Sequence, residues 1–148
     1  MSHPSIARDT GGNVTLEFAA VIPVLVLLAI GIFEFGQVAI TKSQIGSAAK
    51  AGVQYGTLDH SAANDPAGMV QAALNDIGET NQTFAITARQ FCSCPVSGEL
   101  SCTETCADGA YSPMYVEVDV QTTKALTFSY PGFPESINMS TVNRIRVR

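Results

Sequence analysis

Two groups of residues have types and spacing that could support chemistry. The first is Gly12 followed five positions later by Glu17 and then Phe18, at the start of a long apolar run. Glycine places no side chain in the way of a protease that must bind extended backbone at a membrane surface. A cut after Gly12 would make Asn13 the new terminus, with a free α-amine. Asn13 and Glu17 are i and i+4, so they share one helix face. A carboxylate at the rim of hydrocarbon is costly alone, and an amine from the same chain or a neighbouring helix supplies the counter-charge. The plainer alternative has Glu17 simply beginning the helix, favoured by the macrodipole.

The second group is Cys92, Cys94, Cys102 and Cys106, spaced C-x-C then C-x-x-x-C. Zinc sites usually show C-x-x-C pairs with a long insert between them, which this spacing does not match. An even count in an oxidising compartment reads as disulfides, and no metal site is expected. A Cys92–Cys94 bridge would be strained. Two pairings remain open: 92–102 with 94–106, or 92–106 with 94–102. Each bridge closes a short loop worth about 2–3 kcal/mol. A thiol oxidoreductase using Cys92 and Cys94 is a distant alternative. His3 and His60 are the only histidines, both in expected loops without a partner at catalytic spacing. The glycines are dispersed rather than gathered into a phosphate-cradling loop. No enzyme activity and no cofactor is expected.

The elements that must position these residues begin with a helix. From Phe18 to Phe33 the chain runs sixteen residues without a charge. As a helix this rises about 24 Å, and its flanks lengthen it toward a hydrocarbon core near 30 Å. The spanning part is placed at about residues 16–38, with Glu17 and Glu34 near the two interfaces. A short chain cannot wrap a soluble core around such a helix. A cleaved secretory signal fits poorly, since Gln37-Val38-Ala39 is a weak cleavage site. The helical pattern continues to Thr57, with Val38, Ile45, Ala49, Gly52 and Val53 on one stripe. Its small residues allow another backbone to approach closely, and the same stripe could rest on the chain's own globular part. Pro23 could kink the helix, because it leaves the Ala19 carbonyl without a donor.

Beyond Tyr55 the composition changes. Residues 59–66 read as a turn or linker, with Asp65 capping a helix that starts at Pro66 and runs to Ile77. Strands are expected over 83–91 and 114–121, with a third over 124–130 and a last over 139–147. Val116, Val118 and Val120 alternate with Glu117, Asp119 and Gln121. Arg144, Arg146 and Arg148 share one face and read as a solvated edge that discourages aggregation. The fold class is therefore α+β: a long N-terminal membrane or assembly helix, then a short helix and a small antiparallel sheet, a pilin-like layout.

Composition agrees with this division. The 148 residues are 46% hydrophobic but only 14% charged, against about 25% charged in an ordinary soluble domain. That balance excludes disorder. The net charge of −5 and the lack of clustered Lys and Arg exclude a nucleic-acid binder. With no tryptophan, a stacking platform for single strands is excluded as well. Mean hydropathy is +0.19, high for a soluble domain, and the excess is concentrated in the first third of the chain.

The sequence Gly12-Asn13-Val14-Thr15-Leu16-Glu17-Phe18 resembles the processing site of type IV prepilins and pseudopilins, G-x-x-x-x-E-F before an apolar helix. Its continuation through Pro23 to Glu34-Phe35-Gly36 is similar to the TadE/TadG-like family, pseudopilins or minor pilins of tight-adherence (Flp) pilus systems. The close similarity covers about residues 8–56. The resemblance implies a leader peptide over 1–12, cut after Gly12 by a membrane-embedded prepilin peptidase. It also implies a long helix over 13–57 and a head domain over 58–148. Glu17, Phe18 and Pro23 would then be assembly residues, with Glu17 setting subunit register. Partners would be the prepilin peptidase, other pilins or pseudopilins and the inner-membrane assembly platform. The expected location is the bacterial inner membrane, single-pass, with the N-terminus cytoplasmic and the head extracytoplasmic, in the pilus or beneath it. From a different class, the alternative is an unprocessed signal-anchored extracytoplasmic binding protein.

Overall fold

The structure is a computed structural model that describes residues 11–128, 132 and 134–147. Residues 1–10, with His3, and also Tyr130 and Arg148 lie outside the described residues. The chain divides into two compact units, Met1–Gln37 and Val38–Arg148.

In the first unit the described residues are helical from Gly11 onward, within a helix α1 that ends at Gly56. Pro23 lies inside this helix. The apolar stretch is unbroken, as expected.

The second unit starts with the C-terminal part of α1. It continues through α2 (His60–Ala63) and α3 (Pro66–Ile77), then β1 (Phe84–Cys94), β2 (Gly98–Leu100), β3 (Met114–Ala125) and β4 (Ser136–Arg146). The strands form one antiparallel sheet in the order β2-β1-β3-β4. The α+β expectation holds, with local differences. Residues 59–66 contain a helical turn, because the Asp59 carboxylate accepts from the Ala62 N–H at 2.8 Å and caps α2. Asp65 caps α3 as expected, accepting from the Gly68 N–H at 3.0 Å, with Pro66 at the first position. Gly78 ends α3 at φ +71°, a conformation that side chains resist, and its N–H donates to the Leu74 carbonyl.

The strand expected over 124–130 is not a separate element. Lys124 and Ala125 finish β3, and the chain then bends at Thr127 and Phe128. Continued pairing to β4 explains the extension, since Lys124 faces Ile137 and Ala125 faces Ser136. The short β2 was not expected; three residues are too few to show an alternation.

The core lies between α1, α3 and one face of the sheet. Ile45, Ala48, Ala49 and Val53 of α1 are fully buried with Met69 and Ala73 of α3 and Val116, Val118 and Val120 of β3. These α1 positions are i, i+3, i+4 and i+8, which gives one stripe facing the sheet. At Gly52 a Cβ would lie 2.9 Å from the Met69 carbonyl oxygen and 3.0 Å from a Val118 methyl, so α1 approaches as closely as it does only because this residue is glycine. Tyr55 joins α1 to the α3 cap by donating to Asp65 Oδ2 at 3.0 Å.

Candidate membrane and assembly segment

Within the first unit, the described side chains from Thr15 to Ala29 are all exposed. They include Leu16, Phe18, Val21, Ile22, Val24, Leu25, Val26, Leu27 and Leu28, with Phe18 62% exposed. Each such side chain gains about 1.5–3 kcal/mol on leaving water, so this surface demands an apolar surrounding. The helix is long and apolar enough to cross a membrane. From Leu16 to Gln37 it rises about 32 Å, close to the hydrocarbon thickness.

Gly12 and Asn13 are helical, and Glu17 follows on the same helix. Glu17 is exposed on the same helix as Phe18 and Pro23. Glu34 is buried, while Phe33 and Phe35 on either side are exposed. Gly31 and Gly36 border open space, with nothing within 4 Å of a Cβ built on either.

In the second unit all four cysteines are bridged. Cys92 pairs with Cys102 and Cys94 with Cys106, with Cα–Cα distances of 5.0 and 5.8 Å. Of the two pairings left open by the sequence, this is the nested-free one in which both bridges step forward along the loop. The sheet register explains the choice: Cys92 sits opposite Leu100, two residues from Cys102. Among the described residues no group of His, Cys, Asp and Glu could hold a metal.

The outer face of the sheet holds an ionic cluster that the sequence did not suggest. Glu117 accepts from Arg89 Nε at 2.7 Å and from Arg144 Nε at 2.8 Å. Arg89 also grips Glu99 with two bonds of 3.0 Å. Both guanidinium groups stack on the Phe91 ring, at 4.7 and 4.9 Å, and Phe91 stacks on Tyr115. Burial pushes the Glu117 carboxyl up, but the hydrogen bonds from Arg89 and Arg144 outweigh it and hold it below its ordinary value. The Arg89 hydrogen bonds hold Glu99 low as well. Arg144 is thus not merely a solvated edge residue. It closes a row of alternating charge across the sheet, found only by register: Arg89 faces Glu117, and Glu117 faces Arg144.

Compared with known families, residues 12–54 match the model of the TadE-like protein family. The match starts at Gly12 and ends just before the close of α1, covering under a third of the chain and leaving the sheet outside it. No curated protein and no solved structure matches the chain.

Proposed function

From the TadE-like match over residues 12–54, we propose that this chain is a minor pilin or pseudopilin that takes part in assembling a tight-adherence pilus. The observation that carries the reading is the exposed apolar helix bearing an exposed Glu17, inside the matched segment. The helix anchors the chain in the inner membrane in a single pass, with the N-terminus cytoplasmic and the head outside. A prepilin peptidase cuts after Gly12 and frees the Asn13 amine. Glu17 then meets such an amine on a neighbouring helix, where each charge offsets the other's cost near hydrocarbon. Phe18 and Pro23 belong to the same helix–helix contact. The work is association with other pilins and the assembly platform, without catalysis.

N-terminal sequencing of the protein from native membranes tests this, with and without prepilin peptidase. The mature chain should begin at Asn13 only when the peptidase is present. An intact Met1 in both would sink the proposal. Glu17→Gln should still be cut but fail to co-purify with other pilins.

The second reading, an unprocessed anchored binding protein, draws on an open hollow of about 930 Å³ at one end of the sheet, lined by Gln82, Gln121, Lys124, Asn138, Ala85 and Met139 among others. It requires the uncut N-terminus, so the same sequencing separates the two.

A further inference from the structure

The two outer edges of the sheet differ in both backbone and charge. β4 is paired on one side only, over all of Ser136–Arg146. The Val147 N–H donates to Met114 and the Glu135 carbonyl accepts from Leu126, so odd-numbered residues of this strand turn their backbone groups toward β3. The even-numbered residues, from Ser136 to Arg146, turn their N–H and C=O groups outward. Lys42 of α1 reaches one of them, donating to the Ser140 carbonyl. A lysine on an edge is a usual guard against uncontrolled pairing. Here it covers the middle, and among the described residues no backbone partner meets the outward groups of Val142, Arg144 and Arg146. β4 itself holds two arginines and no acid. Among the described residues, Arg146 has no ion-pair partner.

The opposite edge is β2, three residues long and bound into the stapled loop by both disulfides. Residues 95–113 carry Glu99, Glu104 and Asp108 and no lysine or arginine. Glu104 and Asp108 likewise have no ion-pair partner among the described residues. The same loop exposes Val96 and Tyr111, each 91% accessible. Two large apolar side chains on a double-bridged loop are presented rigidly, so little ordering entropy is lost when they are covered.

We propose that the open half of the β4 edge is a docking site for a second copy of this chain, which seats its acidic β2 edge there. Glu104 and Asp108 of one copy meet Arg146 and Lys42 of the next, and Val96 and Tyr111 cover the exposed Val142. The two surfaces are different patches of one molecule. The contact is therefore heterologous, and it repeats from copy to copy in one direction instead of closing a two-fold pair. It concerns the head alone and goes beyond helix-mediated assembly, since it requires neither cleavage after Gly12 nor a partner for Glu17.

The test uses the full chain in lipid vesicles, as an equal mixture of copies with ordinary and heavy nitrogen. A carbodiimide joins a carboxylate to an amine only where they touch. Links between Lys42 and Glu104 or Asp108 in mixed-isotope pairs are expected by mass spectrometry. Arg146→Glu should lower the mixed Lys42–Asp108 link about fivefold, and Glu104→Arg should do the same, because each replaces an attraction with a repulsion. A chain carrying both substitutions should regain most of the link. Both substituted positions are exposed, so an unchanged melting temperature shows that the variants fold. Links found only within single-isotope chains would overturn the proposal. So would mixed links indifferent to Arg146→Glu, or a double variant no better than the singles. None of these outcomes depends on where the N-terminus lies, so cleavage after Gly12 stands or falls separately.

Discussion

Residues 15–37 and the head that begins at Val38 use similar apolar side chains toward opposite ends. In the first region leucine, valine and isoleucine stand exposed along every side of a helix, from Leu16 to Leu28. In the second, a smaller set comprising Ile45, Val53, Met69, Val116, Val118 and Val120 is fully buried, and polar or charged groups occupy the other sheet face. The second region has the cross-links, caps and ion pairs of a structure that must hold together in water. The first region depends on its surroundings, and the second supplies its own. Conditions that weaken the head should therefore leave the helical segment in place.

Reduction is the strongest way to break that contrast. The bridges span 10 and 12 residues of sequence, which the chain-entropy relation values at about 2.5–3 kcal/mol each. Replacing Cys94 and Cys106 by alanine should lower the head's melting temperature by several degrees, and removing both bridges should lower it further. The chain should still sediment with membranes after carbonate washing. Release from the membrane together with head unfolding would show that the two regions are one structure, and the contrast would fail.

A pair of glycines on one helix sharpens the same point. Gly52→Ala places a methyl against the Met69 carbonyl and Val118, where the backbone atom has nowhere to go, and should cost the head about 1–3 kcal/mol in denaturant unfolding. Gly36→Ala meets nothing within 4 Å and should be neutral or slightly stabilising to the isolated chain, since alanine is the better helix former. Should Gly36→Ala leave the chain stable but impair co-purification with other pilins, the open space at Gly36 is where a neighbouring helix fits. If both substitutions behave alike, the difference in packing between the regions is not what separates them.

The features legible in the sequence were those written in consecutive residues. The uncharged run from Phe18, the alternation of Val116, Val118 and Val120, and the Asp65-Pro66 helix start each depend on neighbours within a few positions. The features that were not legible depend on register. The cysteine spacing admits two pairings, and the choice comes from Cys92 facing Leu100 across a three-residue strand. The small stripe at Ala48, Ala49 and Gly52 suited either a foreign helix or the chain's own sheet, and the structure uses it for the sheet. Glu117 and Arg144 each resemble ordinary solvated residues, and 27 positions separate them. They meet because β3 and β4 pair as they do.

The outer-face cluster yields the smallest expected effect, and it also separates the regions. Glu117 and Glu99 have carboxyls held below the ordinary value near 4.5 by their arginines. A carboxyl depressed in the folded state contributes stability that is fully present above its unfolded value and is lost as pH falls toward the folded one. The head should therefore keep its melting temperature from pH 7 to about pH 5 and lose stability below about 4.5. The share due to Glu117 is about 1 kcal/mol, because Arg89 and Arg144 are half exposed and can turn to water when the carboxylate is lost. Glu117→Gln should remove that part of the acid sensitivity while lowering stability at pH 7 by a similar amount. A variant as acid-sensitive as the parent would mean that the row across the sheet is ornament on a face held by Phe91 and Tyr115. The helical segment has no such row, so the helix signal that survives melting of the head should not follow pH over the same range. If it does, the chain's apolar region is responding to the head, and the independence of the two regions is lost.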